Sequence, residues 1–458
     1  MIKKTLIAAL LCAAGTVHAA GEAKNVIFFL GDGMGPTTVT AARIYKYGET
    51  GALNMESLRR TARIKTFSND AQTTDSAPSM SAYMTGVKMN NEVLSMSSDT
   101  VAKAPAADGS STCPATGNGT PATTLLELSK AAGKAVGAVT TTRVTHATPA
   151  ATYAHICHRD AENDIAAQAV PGGVGYNAAL KDGLDVLMGG GRRHFVPKAN
   201  GGKRIDGRDL VTEFKAAGYA YADTGTALAA IDASKTSKLV GLFHMDHVDY
   251  ELDRVKNSLD QPSLATMTTK AIDVLAKNPK GFFLMVEGGR IDHALHGTNA
   301  KRALEDAIAF DTAIKVALDA MQAKDPGLKN TLIVVTADHD HTMTINGYSK
   351  RGNPILDISR SYKDNSPNLD ADGNTYTTLV FGNGPTRKDV RTSIVSGNAD
   401  KTQALHDDYL QETGVRMGSE THGGGDVMLM STGAGNSGFK GTMDNTRVFG
   451  LVRSALGL

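Results

Sequence analysis

This sequence has almost no net charge, no internal repeat and no late apolar run long enough to cross a bilayer. Its 48 Lys and Arg against 47 Asp and Glu leave +1 at pH 7. Such a balance gives no electrostatic reason to bind nucleic acid or an anionic membrane. The longest apolar run, LIAALLCAAG, lies in the first twenty residues. It is short of the roughly 20 apolar residues that a spanning helix needs. Lys3 and Lys4 precede it, and VHAA follows with small residues for cleavage near Ala19 or Ala20. That layout predicts a secretory signal peptide over residues 1–20, hence a periplasmic or secreted chain without a membrane anchor. Removing the +2 of the two leader lysines from the total of +1 leaves −1.

Cysteine is scarce as well. Of three, Cys12 leaves with the leader, and Cys113 and Cys157 remain in an oxidising compartment. Their spacing does not decide between one disulfide and two free thiols.

What is present is enough for a large core: 41% of residues are hydrophobic and 21% charged. Apolar runs of strand length recur at residues 24–30 (KNVIFFL), 135–140 (AVGAVT), 184–188 (LDVLM), 282–286 (FFLMV), 331–336 (TLIVVT), 376–381 (YTTLVF) and 426–430 (DVMLM). Between them lie helical stretches at 36–47, 124–132, 263–278 and 300–321. Alternation of this kind predicts an α/β fold with a central, mostly parallel sheet sandwiched by helices. Residues 21–458 read as one catalytic domain. The alternation lapses over about 346–421, a polar, Gly- and Asn-rich region that reads as an inserted small subdomain.

Polar residues able to bind metal cluster after several of these runs. Asp32 lies in GDGMG after the first. His146 and Thr148 follow AVGAVT in THATPA. Glu287, Arg290, Asp292, His293 and His296 crowd into VEGGRIDHALH, where Asp292 and His296 share a face if the chain turns helical. Asp338 and His339 follow TLIVVT in TADHDH, and His422 precedes three glycines in ETHGGGD. Open α/β sheets bind ligands beyond the carboxyl ends of their strands, so these groups should converge on one rim. Ser76, in TDSAPS, sits at the expected start of a helix, where N–H groups favour a developing alkoxide. Asp75 could orient it, and Arg159 could clamp a phosphate with paired bonds. Taken singly, each of these has a plainer reading: a turn, an N-cap serine, a surface ion pair.

Together, GDGMG, TDSAPS, HATPA with the later Arg159, VEGGRIDHALH, TADHDH and ETHGGGD stand in the order found in alkaline phosphatases, over nearly all of the mature chain. The sequence resembles that family in its secreted bacterial form, with the animal-like pair His146 and His293 where the enterobacterial pattern has Asp and Lys. The resemblance implies hydrolysis of phosphate monoesters through a phosphoserine on Ser76, with Arg159 holding the phosphate. It implies two zinc ions and one magnesium ion per chain. Asp292, His296 and His422 would hold one zinc. Asp32, Asp338, His339 and Ser76 would hold the other. Asp32, Thr148 and Glu287 would hold magnesium, with His146, His293 and Asp75 flanking the site. It also implies a homodimer. His244 and Gln261 stand where animal members carry acids of a calcium site, so that site is not expected. His155, His158, His194, His247 and His341 read as surface or packing residues, despite the metal-like spacing of His244, Asp246 and His247. The competing readings are a phosphodiesterase of the same superfamily and a non-catalytic zinc- or phosphate-binding envelope protein.

Overall fold

Three segments with continuous apolar runs form the centre of the molecule because those runs bury both faces. In the computed structural model, which describes residues 22–458, these are β1 (Asn25–Gly31), β7 (Phe282–Gly288) and β8 (Thr331–Thr336), buried along almost their whole length. The expected signal peptide and Cys12 lie outside the described residues. β1 pairs in parallel with β7 on one side and β8 on the other. Among the described residues the sheet has ten strands. It continues from β7 through β3 (Ala135–Arg143), β4 (Val186–Gly190), β6 (Leu239–Leu242) and β5 (Ala220–Ala222). Beyond β8 come Val427–Gly433, β2 (Arg60–Lys65) and Gly441–Asp444.

The sheet is mostly parallel, with one departure. Val427–Gly433 runs antiparallel to both of its neighbours, β8 and β2. Helices cover both faces. Pro36–Tyr47, Leu264–Leu275, Arg290–His296 and the 25-residue Ala300–Lys324 pack together on one side. Ser76–Thr85, Leu125–Ala131 and Asn445–Leu456 pack on the other. Among the described residues, no helix is long and apolar enough to cross a membrane.

The run at 376–381 belongs elsewhere than the central sheet. Its strand, Leu379–Gly384, lies between Met343–Ile345 and Thr413–Arg416 in a separate three-stranded sheet. Beside it, Ile358, Ile394, Ala404 and Tyr409 form a small apolar cluster apart from the main core. Cys113 and Cys157 are joined in a disulfide. The link closes a loop with a sequence separation of 44 and restrains the unfolded chain by about 2–4 kcal/mol.

Candidate active site

The parallel strands deliver their polar residues to one rim. Asp32 directly follows β1, Glu287 is the penultimate residue of β7, and Asp338 stands two residues past β8. Thr148 is on a short helix, Ala147–Ala150, that follows β3. Asp292 and His296 lie one turn apart on Arg290–His296. His422 is brought in by a two-residue strand, His422–Gly423, that pairs antiparallel with Asp340–His341. That pairing is close: a Cβ on Gly423 would stand 2.7 Å from the His341 carbonyl oxygen. Gly33 has φ +62°, and a Cβ there would stand 2.4 Å from the His341 ring.

Ser76 opens the helix Ser76–Thr85, and Asp75 caps it by accepting from the Ala77 N–H at 2.6 Å. The Ser76 hydroxyl is buried. Its Oγ lies 3.3 Å from Asp32 Oδ1 and 3.2 Å from His339 Nε2. Asp75 Oδ1 also accepts from Arg159 Nη1 at 3.1 Å, so one carboxylate orients both the serine's helix and the arginine.

Three imidazoles are tied the same way. His296 Nδ1 faces the Glu420 carbonyl at 2.6 Å, His422 Nδ1 the Thr74 carbonyl at 2.7 Å, and His339 Nδ1 the Asp340 carbonyl at 3.2 Å. A carbonyl only accepts, so each Nδ1 carries the proton and each Nε2 presents a lone pair. The Nε2 atoms of His296 and His422 lie 3.1 Å apart, and 3.4 and 3.6 Å from Asp292 Oδ1. Three electron-rich atoms converge there with no proton between them. Ligands of one tetrahedral zinc stand about 3.3 Å apart, so the donor set fits that ion.

The deeper part of the site is a nest of carboxylates. Asp338 Oδ1 accepts from the N–H groups of Gly33 and His339, leaving Oδ2 buried without a partner. Glu287 Oε2 accepts from the hydroxyls of Thr140 and Thr142, leaving Oε1 likewise. Asp32 Oδ2 and the Thr148 hydroxyl are buried and unpartnered too. Thr148 lies beside Glu287, although no hydrogen bond of good geometry joins them. Burial and the neighbouring Asp292 and Glu287 push Asp32 well above the usual carboxylate range. Burial and Asp32 push Asp338 up to about 7. Burial pushes Glu287 up to about 7 against the pull of the Thr140 and Thr142 hydroxyls. Buried like charges with idle oxygens fit hard divalent cations, which would supply the missing countercharge. Asp32, Asp338 and His339 converge as one possible ligand group, and Asp32, Glu287 and His146 as another.

His341, read from the sequence as surface or packing, is instead part of the site. Its Nε2 bonds Asp292 Oδ1 at 2.7 Å and its Nδ1 bonds Glu420 Oε2 at 2.6 Å. Burial alone would lower its pKa, but the two carboxylates raise it to about 10. Both nitrogens then donate, so His341 orients Asp292 and has no lone pair for a metal. Burial would raise Asp292, yet the bond from the charged His341 ring holds it well below the usual range. In the extended TADHDH segment His339 and His341 are two apart and share a face, the signal that could have marked it.

His146 and His293 stand beside the carboxylate nest with ring centroids 5.3 Å apart. His247 packs on both, at 5.4 Å and 4.2 Å. It is therefore a packing residue, but one packed on the site. Arg159 Nη2 donates to His146 Nε2 at 2.9 Å, and Arg290 Nη1 donates to His293 Nδ1 at 3.0 Å. Burial and Arg159 hold His146 far below its ordinary pKa, and burial takes His293 down to about 3. Of the other plain histidines, His155 is held by Glu127 and the Ser95 carbonyl, and His194 by Asn163, away from the rim.

Comparison with known proteins gives the family. The family model described as Alkaline phosphatase matches residues 23–458. The tissue-nonspecific alkaline phosphatases of Rattus norvegicus and Homo sapiens are each 40% identical over 443 residues, covering 90% of this chain and 79% of theirs. The crystal structure of Thermus thermophilus alkaline phosphatase is similar with a TM-score of 0.69 and 28% identity, covering 98% of this chain and 96% of that one. The chain belongs to the alkaline phosphatase family.

Proposed function

We propose that this chain hydrolyses phosphate monoesters to alcohol and inorganic phosphate, with Ser76 carrying the phosphoryl group between two displacements. The observation that supports this most is the convergence on Ser76 Oγ of Asp32 and the His339 lone pair, at the start of a helix. Asp292, His296 and His422 would hold one zinc. Asp32, Asp338, His339 and Ser76 would hold a second. Asp32, Glu287 and Thr148, all oxygen donors, would hold magnesium. Bound there, the cations supply Lewis acidity to the attacking and departing oxygens.

The protein's own groups do the rest. Asp32 and His339 fix the Ser76 oxygen, whose proton passes to water as that oxygen bonds phosphorus and the ester P–O bond breaks. Arg159, oriented by Asp75, donates to non-bridging phosphate oxygens and neutralises their charge. The ester oxygen leaves with the bonding electrons and takes a proton from water to become the alcohol. Water then attacks the phosphoserine, the Ser76–phosphorus bond breaks, and phosphate is released.

The leader layout supports a periplasmic or secreted site of action, and the Cys113–Cys157 bond is consistent with it. Assembly as a homodimer rests on the family resemblance. Residues 346–421 form the inserted small subdomain of the catalytic domain.

Ser76→Ala is the decisive variant. Acid quenching during turnover of an aromatic phosphate ester should trap phosphoserine in the wild type and none in the variant, with metal content unchanged. Turnover at the wild-type rate in the variant would remove the covalent route.

A further inference from the structure

Beside Arg159 stands an acid that the chemistry above does not use. The Glu92 carbonyl accepts the Arg159 N–H at 2.8 Å, and the Glu92 N–H donates to Asp75 Oδ2. The residue is thus tied both to the arginine that would hold phosphate and to the neighbour of Ser76. Its backbone has φ +72°, a region where glycine is at ease and a long side chain is strained. Strain of this kind persists only where the surroundings fix it, and it gathers at working sites. The side chain is half-buried, within the fields of Asp75, Arg159, His158 and Asp160. Among the described residues it takes no hydrogen bond and no ion pair. Its two acidic neighbours are placed differently. The Asp75 carboxylate is committed to Arg159, to the Ala77 N–H and to Glu92 itself. Asp160 is exposed, so water screens it. Of the three acids, Glu92 is the one both half-enclosed and uncommitted. Ser76 is enclosed, so an in-line displacement puts the departing alcohol on the opposite, solvent side of phosphorus.

We propose that Glu92 is a specificity-determining residue for the charge carried by the alcohol. It favours phosphate monoesters of amino alcohols and disfavours those whose alcohol bears a carboxylate or a second phosphate. This rests on the reading above, in which Ser76 and Arg159 flank the phosphate of a monoester. The phosphate's own charge is common to every substrate and is met by Arg159. A charge further along the alcohol has no such partner, and an uncommitted carboxylate attracts an ammonium and repels an anion. Water screens a half-enclosed charge only in part, so an interaction across several ångströms changes a rate by about tenfold.

The test is kcat/KM of the full-length, metal-loaded protein for aminoethyl, carboxymethyl and hydroxyethyl phosphate, the last as neutral reference. At about pH 8 the amine is protonated and the carboxylate ionised. Glu92→Gln keeps the size of the side chain and removes its charge. Glu92→Gly removes the charge and suits the backbone angle, so it folds even if the first variant does not. In both, the preference for the aminoethyl over the carboxymethyl ester, each taken relative to the reference, should fall by about tenfold. In the wild type that preference should shrink as salt is raised. A preference unchanged in both variants overturns the proposal. So does one that moves in only one of them, since that marks shape rather than charge. A protein that hydrolyses none of the three esters overturns the monoester reading beneath the proposal as well.

Discussion

The two halves of the site use the same residue types in opposite electrical states. Around Ser76, the side chains of Asp32, Asp338 and His339 are fully enclosed, at 0% exposure. Around Asp292, the side chain of His296 is 30% exposed and that of His422 is 15%. Asp32 and Asp292 are both buried aspartates, yet Asp32 is pushed up and Asp292 down. Burial acts alike on both. The difference lies in the company: carboxylates around Asp32, and imidazoles with a charged His341 around Asp292. The open half is close to balanced by its own side chains. The sealed half carries an excess of acid that only protons or cations can offset.

The largest effect should come from removing the residue shared by most of the sealed half. Asp32→Ala should cut turnover by about a thousandfold or more. Metal analysis should show the loss of more than one ion per chain. Loss of a single ion would mean that Asp32 does not bridge two positions.

Next comes pH. In the folded, metal-free chain Asp338 and Glu287 keep their protons to about 7, above their ordinary values of 3.8 and 4.5. Between those limits the folded chain binds more protons than the unfolded one, so raising the pH favours unfolding. Stability of the chelated protein should fall by roughly 3 kcal/mol or more from about pH 4 to pH 7. The metal-loaded protein should hold its melting midpoint over that window. Thermal melts of both forms decide it, and a chelated protein indifferent to pH would erase the contrast between the halves.

The smallest effect is confined to the open half. His341→Gln should loosen one zinc by about 10- to 100-fold, because Asp292 loses the group that orients it. The metals of the sealed half should stay. Competition with a chelator, followed by counting of retained ions, separates the two. Equal loosening of all ions would show that the halves are not independent.

Legibility in the sequence followed the same division. The sealed half was readable because its acids come straight after apolar strands, so Asp32, Glu287 and Asp338 announce themselves by position. Part of the open half was not. His341 looked ordinary because its role depends on Glu420, 79 residues away, whose carboxylate gives it a second partner. The centre of the sheet was readable from its continuous apolar runs. Its margin was not: β2 (RTARIK) alternates exposed and buried residues, and Gly441–Asp444 is four residues long. Nor does sequence order reveal that Val427–Gly433 slots between β8 and β2 against their direction, since strand neighbours are chosen by tertiary packing. Over 346–421 there is little periodicity of either kind, and the small three-stranded sheet that pairs two strands of this region with Met343–Ile345 is closed by strands far apart in the chain.

The covalent link between Cys113 and Cys157 ends two residues before Arg159, whose N–H is in turn fixed to the Glu92 carbonyl at 2.8 Å. Arg159, the proposed phosphate anchor, is thus mounted on a segment held by a disulfide. Chain matured under reducing conditions would keep its ten-stranded scaffold and its carboxylate nest but carry a slack phosphate hook.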